Sequence, residues 1–365
     1  MLTLTASSTA FSSAINADSS SPARSSPIPS VVPSFVPSPG RLRLSLQVST
    51  IREDGHLIRV IELRANSRQR LPDWSPGAHV QLLLPNGLSR CYSLCNAPDE
   101  DDVYRIAVKR ELNSRGGSDW LHTHLHVGDR LTLMAPVNFF PLQESVHTPV
   151  LFAAGIGITP IYSMAAALAA RGQASELHYF ARSAGHATLL GPLSQTPMAS
   201  HCHYYFGLDT GDIEVRLLAT LQSLSVVTPL YVCGPAPFIA LLRTQANQLG
   251  WRDEDIHFEL FGASPVKPET PQEKIVDGSF ELILQRSGVY CRVAPGQSIV
   301  AAAATAGVHI GTSCGEGFCG SCQSRVIAGE VDHRDSVLTA AQRASHQLLM
   351  PCVSRCAGER LVLDL

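Results

Sequence analysis

Beyond residue 41, apolar and polar positions alternate with a period of two, the pattern of half-buried β-strands. Residues 42–51 and 57–63 alternate around Asp54-Gly55, while 80–84 and 88–94 flank Asn86-Gly87, a dipeptide suited to a tight hairpin turn. Residues 103–109 and 130–134 add two more strands. Closely spaced antiparallel strands joined by short turns predict a small closed barrel. Near Pro149 the period changes. Val150 to Ala154 is a continuous apolar run, followed by a glycine turn and an Ala-rich helix over 161–170. Apolar runs at 177–181, 204–206, 230–233 and 256–261 alternate with helical stretches such as 236–248, which predicts a parallel α/β sheet. The final segment offers two strands (280–285 and 289–293), an Ala-rich helix (299–306) and a cysteine loop.

These patterns divide the chain into a Ser/Pro-rich tail (1–40), a β-barrel (41–146), an α/β domain (147–264), a Pro-containing linker (265–278) and a C-terminal domain (279–365). The tail lacks a charged start and an uninterrupted apolar core, so disorder is expected rather than a secretory signal, and its one arginine, Arg24, is thin for a transit peptide.

At 365 residues, two or three domains are expected. Hydrophobic residues at 45% and charged residues at 16% exclude a chain disordered throughout. A net charge of -3, without Lys/Arg blocks, gives no basic field for nucleic acid. No apolar run is long enough to span a membrane. Five cysteines (Cys314, Cys319, Cys322, Cys352, Cys356) crowd the end of the chain, which suggests a metal site in a reducing, cytoplasmic compartment.

Cys314, Cys319 and Cys322, followed by Cys352, have the C-x4-C-x2-C…C spacing of a plant-type [2Fe–2S] site. Gly315, Gly317 and Gly320 allow the loop to curl around a cluster. Zinc is the rival metal, although zinc sites usually pair two knuckles and only one is present. Cys356, four residues beyond Cys352, is a rival fourth ligand.

Gly155-Ile156-Gly157-Ile158-Thr159-Pro160 follows an apolar strand and opens a helix, the context of a dinucleotide turn. Pro160 replaces the third glycine of the fingerprint and suits the first helical position. Cys233-Gly234-Pro235 ends a later strand, so Thr159 and Cys233 are expected in one crevice. In the barrel, Arg90, Tyr92 and Ser93 combine a phosphate partner, a stacking ring and a hydroxyl. Gly116-Gly117-Ser118 precedes a short helix and forms a second anion site. His122, His124 and His126 tempt a metal reading, but a helix would place only His122 and His126 on one face.

In this order, the motifs resemble the phthalate dioxygenase reductase family, which includes the vanillate demethylase reductases. The resemblance covers about residues 41–365 and extends to Ile106–Arg110, His257–Gly262, Asp332–Asp335, Cys352–Arg355 and Leu361–Leu365. It implies an FMN barrel, a nicotinamide domain and a β-grasp ferredoxin domain. FMN would be held by Arg90, Tyr92, Ser93, Ala107, Val108, Lys109, Gly116, Gly117 and Ser118, with FAD as the alternative flavin. NADH would lie at Gly155–Pro160 and Cys233–Pro235, with Phe261 where the nicotinamide enters. The resemblance also implies Cys352, not Cys356, as fourth ligand. Two positions depart from the family: Ala154 stands where a further glycine is usual, and Cys91 where relatives carry Thr or Gln.

Arg182 ends the strand expected to reach the ribose; Ser183 beside it lacks the charge that would repel a 2′-phosphate, and NADH is the expected nucleotide. A nicotinamide delivers two electrons as hydride and a cluster accepts one, so a flavin must stand between them. The expected protein is a monomeric NADH-dependent reductase that supplies a Rieske-type oxygenase acting on an aromatic acid or similar compound. The alternatives are a free-standing flavin or ferric reductase and a redox-sensing iron–sulfur protein.

Overall fold

The computed structural model describes residues 42–65, 70–97, 100, 102–111, 116–173, 175–195, 198–261, 278–312 and 314–365. The expected tail and nearly all of the expected linker lie outside these residues, as does Gly262.

Six strands form the first sheet: β1 (Arg43–Glu53), β2 (Ile58–Arg64), β3 (His79–Leu83), β4 (Ser89–Ser93), β5 (Val103–Lys109) and β6 (Arg130–Val137), with helix α1 (Gly117–Thr123) before β6. All pairings are antiparallel in the order β4-β3-β6-β1-β2-β5. The edges meet through a Leu94–Ile106 bridge and a Cys95 N–H to Arg105 carbonyl bond of 2.8 Å, which closes the barrel. Inward positions supply a core of Leu46, Ile61, Leu82, Leu94 and Ile106, capped by Leu121 of α1.

The second sheet is parallel, built from β7 (Val150–Ala154), α2 (Ile158–Ala170), β8 (Leu177–Ala181), α3 (Leu190–Leu193), β9 (Cys202–Phe206), α4 (Thr210–Gln222), β10 (Leu230–Gly234), α5 (Ala236–Leu249) and β11 (Ile256–Leu260). Its order is β11-β10-β7-β8-β9. Successive residues of β7 enter different cores, Leu151 and Ala153 on one face and Phe152 and Ala154 on the other. That explains the unbroken apolar run: a strand covered on both faces has no polar side. The chain reverses direction across the sheet between β7 and β10, so a crevice opens at their carboxyl ends.

The third sheet gathers β12 (Phe280–Leu284), β13 (Val289–Val293), α6 (Ile299–Thr305), β14 (Ser324–Ala328), β15 (Val331–Asp332), α7 (Ala340–Ala344), β16 (Leu348–Leu349), β17 (Arg355–Cys356) and β18 (Arg360–Leu363). The order is β13-β12-β18-β14-β16, with β15 and β17 paired separately. The sequence predicts only two strands here. The others are short, and β18 depends on parallel pairing with β12 some 80 residues away in sequence, for example Leu361 beside Leu282. Another expectation is corrected: Pro160 occupies the third position of α2, because Gly155–Gly157 forms a 3-10 turn that leads directly into the helix. The first turn still accommodates it, since those amides have no helical acceptor.

The Asp54-Gly55 turn joins β1 to β2 and also docks the barrel onto the parallel-sheet domain. Asp54 Oδ2 accepts bonds from Thr188 Oγ1 (2.7 Å) and the Leu189 N–H (2.9 Å). Gly55 has φ +104, and a Cβ there would lie 2.5 Å from the Ala187 carbonyl oxygen. Among the described residues, no helix is long and apolar enough to cross a membrane. We predict that Asp54→Ala destabilises the protein by about 1.5–3 kcal/mol, the scale for losing hydrogen bonds to a charged acceptor, as measured by denaturant melts. An unchanged midpoint would show that this turn does not anchor the two sheets.

Candidate functional site

The glycine turn meets the end of β10 at the crevice. A Cβ on Gly157 would lie 2.2 Å from the Cys233 carbonyl oxygen, so only glycine allows the two turns this approach. Among the described residues, its chain neighbours aside, no atom lies within 4 Å of where a Cβ on Gly155 would stand, which leaves its outer side open. Ile156 is partly buried between these glycines. Thr159 is buried and donates to the Ile156 carbonyl (3.1 Å), so it secures the turn from within. Burial pushes the Cys233 thiol well above its ordinary range, assisted by nearby Glu259, and the group is a neutral thiol. Gly234 accommodates the Ala154 departure: the Ala154 methyl lies 2.7 Å from where a Cβ on residue 234 would go. Pro235 caps α5, and Arg182 stands exposed just past β8.

The barrel provides a second cleft. Beyond the Leu94–Ile106 bridge, β4 and β5 are not paired, so Tyr92 and Ser93 form one lip and Ala107, Val108 and Lys109 the other. A Cβ on Gly117 would lie 2.6 Å from Arg90 Cγ and Nε, so the arginine stem crosses the start of α1. The guanidinium and the Gly116–Ser118 backbone are thereby brought together, a donor set suited to a phosphate. Ser118 Oγ accepts from the Glu111 N–H (3.2 Å) and Lys109 Nζ pairs with Glu111 (2.8 Å). The Val108 side chain lies in the barrel core and its carbonyl bonds His122 Nε2 (2.9 Å), so it faces the cleft through backbone at most.

Alternate side chains of β4 reach the two neighbouring domains. Ser89 Oγ donates to the Thr312 carbonyl (3.0 Å) beside the cysteine loop. Cys91 lies in hydrogen-bonding contact with Cys319. Ser93 Oγ donates to Glu259 Oε2 (3.3 Å) at the end of β11. These positions share one face of the strand. The Cys91 departure is therefore explained: its thiol faces the cysteine loop.

Glu259 carries no assigned role in the sequence reading, although a lone carboxylate in the apolar run 256–261 is the signal that marks it. Its side chain is 11% exposed, with Oε1 3.9 Å from His79 Nδ1. Burial pushes its carboxyl up to about 7, against the pull of His79 and the Ser93 hydrogen bond. Phe261, 37% exposed, follows directly.

Four thiols assemble in the third domain. Cys322 and Cys352 Sγ are 3.2 Å apart, Cys352 also contacts Cys314, and Cys314 contacts Cys319. All are free thiols, a soft donor set that fits an iron–sulfur cluster. The Glu316 N–H donates to Cys314 Sγ (3.3 Å), as expected for a loop whose amides point at sulfur. Cys356 lies elsewhere, in β17, with its thiol on the Arg360 carbonyl (3.3 Å). Buried Asp335 fastens the segment carrying Cys352: Oδ2 accepts from the Leu338 N–H (2.8 Å) and Oδ1 from Ser354 Oγ (3.3 Å). Phe139, beyond β6, fills the space beside Gly320, where a Cβ would meet its ring at 2.2 Å. The histidine run does not converge: His124 stacks on Trp120, and His126 is exposed beside Asp129.

Residues 282–357 match the family of 2Fe-2S iron–sulfur cluster binding domains. The chain is 41% identical over 295 residues to the vanillate O-demethylase oxidoreductase of Pseudomonas sp. strain HR199, covering 81% of this chain and 91% of that one. It is 40% identical over 322 residues to the heme-dependent oxidative N-demethylase beta subunit of Ectopseudomonas mendocina, covering 88% and 99%. A solved phthalate dioxygenase reductase, described as a modular structure for electron transfer from pyridine nucleotides to [2Fe-2S], superposes with a TM-score of 0.64 at 32% identity, covering 88% of this chain and 98% of that one. With barrel, parallel sheet and cysteine domain in the same order, this chain belongs to the phthalate dioxygenase reductase family.

Proposed function

We propose that the chain is the NADH-dependent reductase component of a Rieske-type oxygenase system, working as a monomer with FMN and one [2Fe–2S] cluster. The observation that carries this reading is the meeting of three sites on β4, where Ser89 and Cys91 touch the cysteine domain and Ser93 touches Glu259. A bound flavin accepts hydride and releases single electrons, the conversion a nicotinamide and a [2Fe–2S] cluster require. Arg90 with the Gly116–Ser118 backbone holds a terminal phosphate, which favours FMN. Tyr92, Ser93 and residues 107–109 line the ring site. Gly155–Pro160 and Cys233–Pro235 receive the nucleotide, Arg182 reaches its ribose, and Phe261 shields the ring until the nicotinamide arrives. Neutral Cys233 offers the nicotinamide an apolar, uncharged contact, while Glu259, raised to about 7 by burial, exchanges its proton near neutral pH. Cys314, Cys319, Cys322 and Cys352 hold the cluster. The names of the relatives, an O-demethylase oxidoreductase and a demethylase subunit, support an oxygenase as electron acceptor.

The test is NADH-driven reduction of cytochrome c by the purified chain, alongside product formation with a Rieske-type oxygenase. Cys314→Ser and Cys352→Ser should lose the cluster's visible absorption and cytochrome c reduction but retain flavin and NADH oxidation with a small inorganic acceptor. Cys356→Ser should behave as wild type. Cytochrome c reduction at the full rate without the cluster would favour a free-standing flavin reductase.

Arg90→Ala should weaken flavin binding about tenfold to a hundredfold, the equivalent of about 1.5–3 kcal/mol for a charged hydrogen bond. Equilibrium dialysis against FMN measures this, and unchanged affinity would remove Arg90 from the phosphate site.

Glu259 also predicts a pH dependence. Its folded value of about 7 lies above the ordinary 4.5, so the folded chain binds the proton more tightly than the unfolded chain. The stability this contributes is full below about 4.5 and is lost as pH rises through about 7. Relative to wild type, Glu259→Gln should gain on the order of a few kcal/mol between about pH 5 and pH 8. Calorimetric melts at both pH values decide it; parallel pH dependence in the two proteins would show that the carboxylate is already ionised when folded.

A further inference from the structure

At the opposite end of the parallel sheet from the nucleotide turn, two histidines and a glutamate converge. Parallel pairing places His178 of β8 beside His203 of β9, and Glu176 precedes His178 by two residues, so all three share one face. Their donor atoms lie within 4.8 Å of one another. The His178 ring is held between Phe152 (5.1 Å between centroids) and His203 (4.8 Å). Its Nδ1 is engaged by the Tyr205 hydroxyl at 3.0 Å. Its Nε2 is buried, with Glu176 Oε2 3.4 Å away.

We propose that Glu176, His178 and His203 form a binding site for a zinc-like divalent cation that clamps edge strand β9 to β8. The chemistry of the donors sets the class: two imidazoles and a carboxylate suit zinc, whose bonds to them are about 2.0–2.2 Å. His178 supplies the fixed point, because the Tyr205 hydroxyl orients its ring through the other nitrogen, as outer partners do at histidine–metal sites. The exposed His203 ring turns out of its stack on His178 to aim a nitrogen at the ion, Glu176 swings with it, and water completes a tetrahedron. The site lies at the amino ends of the strands, so an ion there leaves the glycine turn at their carboxyl ends unobstructed.

The test titrates the full-length holoprotein, stripped of loosely bound metal, with zinc against a chromophoric competitor while the cluster's absorption is followed. One zinc per chain beyond the cluster's iron is expected, with a raised melting temperature, unchanged cluster absorption and unchanged NADH oxidation. His203→Gln should abolish this binding, and Glu176→Gln should weaken it at least tenfold. Both side chains are exposed, and melting without zinc checks that each variant folds as wild type. Zinc stoichiometry equal in wild type and His203→Gln, or zinc uptake that bleaches the cluster, would overturn the proposal.

Discussion

One five-residue strand carries the constraint on which the rest of the molecule depends. An electron path from nucleotide to cluster needs its stations held close together, and β4 carries barrel contacts to both other domains. Strand pleating makes this possible: Ser89, Cys91 and Ser93 project from one face, reaching Thr312, Cys319 and Glu259 respectively. Arg90 projects from the other and crosses α1. A one-residue slip in the β3–β4 register would exchange these two faces. The Asn86-Gly87 turn helps to fix this register.

The second dependence is electrostatic. Where β4 meets β11, the structure buries a carboxylate and gives it a hydroxyl and a histidine instead of a full salt bridge. The result is an acid poised near neutrality beside a neutral thiol, Cys233. Raised to about 7 by burial, this carboxyl is divided between its neutral and charged forms at neutral pH.

Most of the architecture was legible because local rules governed it. Val103–Lys109, Val150–Ala154, Leu177–Ala181 and Val289–Val293 match their apolar runs residue for residue, since length and alternation determine a strand when burial is uniform. The C-terminal domain was under-read because three of its strands, β15, β16 and β17, are only two residues long and β18 pairs with a strand far away in sequence. No periodicity can reveal a pairing whose partner is distant.

The sequence by itself determined the thiol spacing, the glycine turn and the order of the domains, because each is a local feature constrained by the chemistry it serves. Spacing alone left Cys352 and Cys356 both open and the family resemblance favoured Cys352; the tertiary structure separates them, placing one among three other thiols and the other in β17. Only it turned Cys91 toward the cysteine loop and gave Glu259 and Phe139 their neighbours. It also brought Glu176, His178 and His203 together, because strand register is a long-range choice made by the burial of the whole sheet.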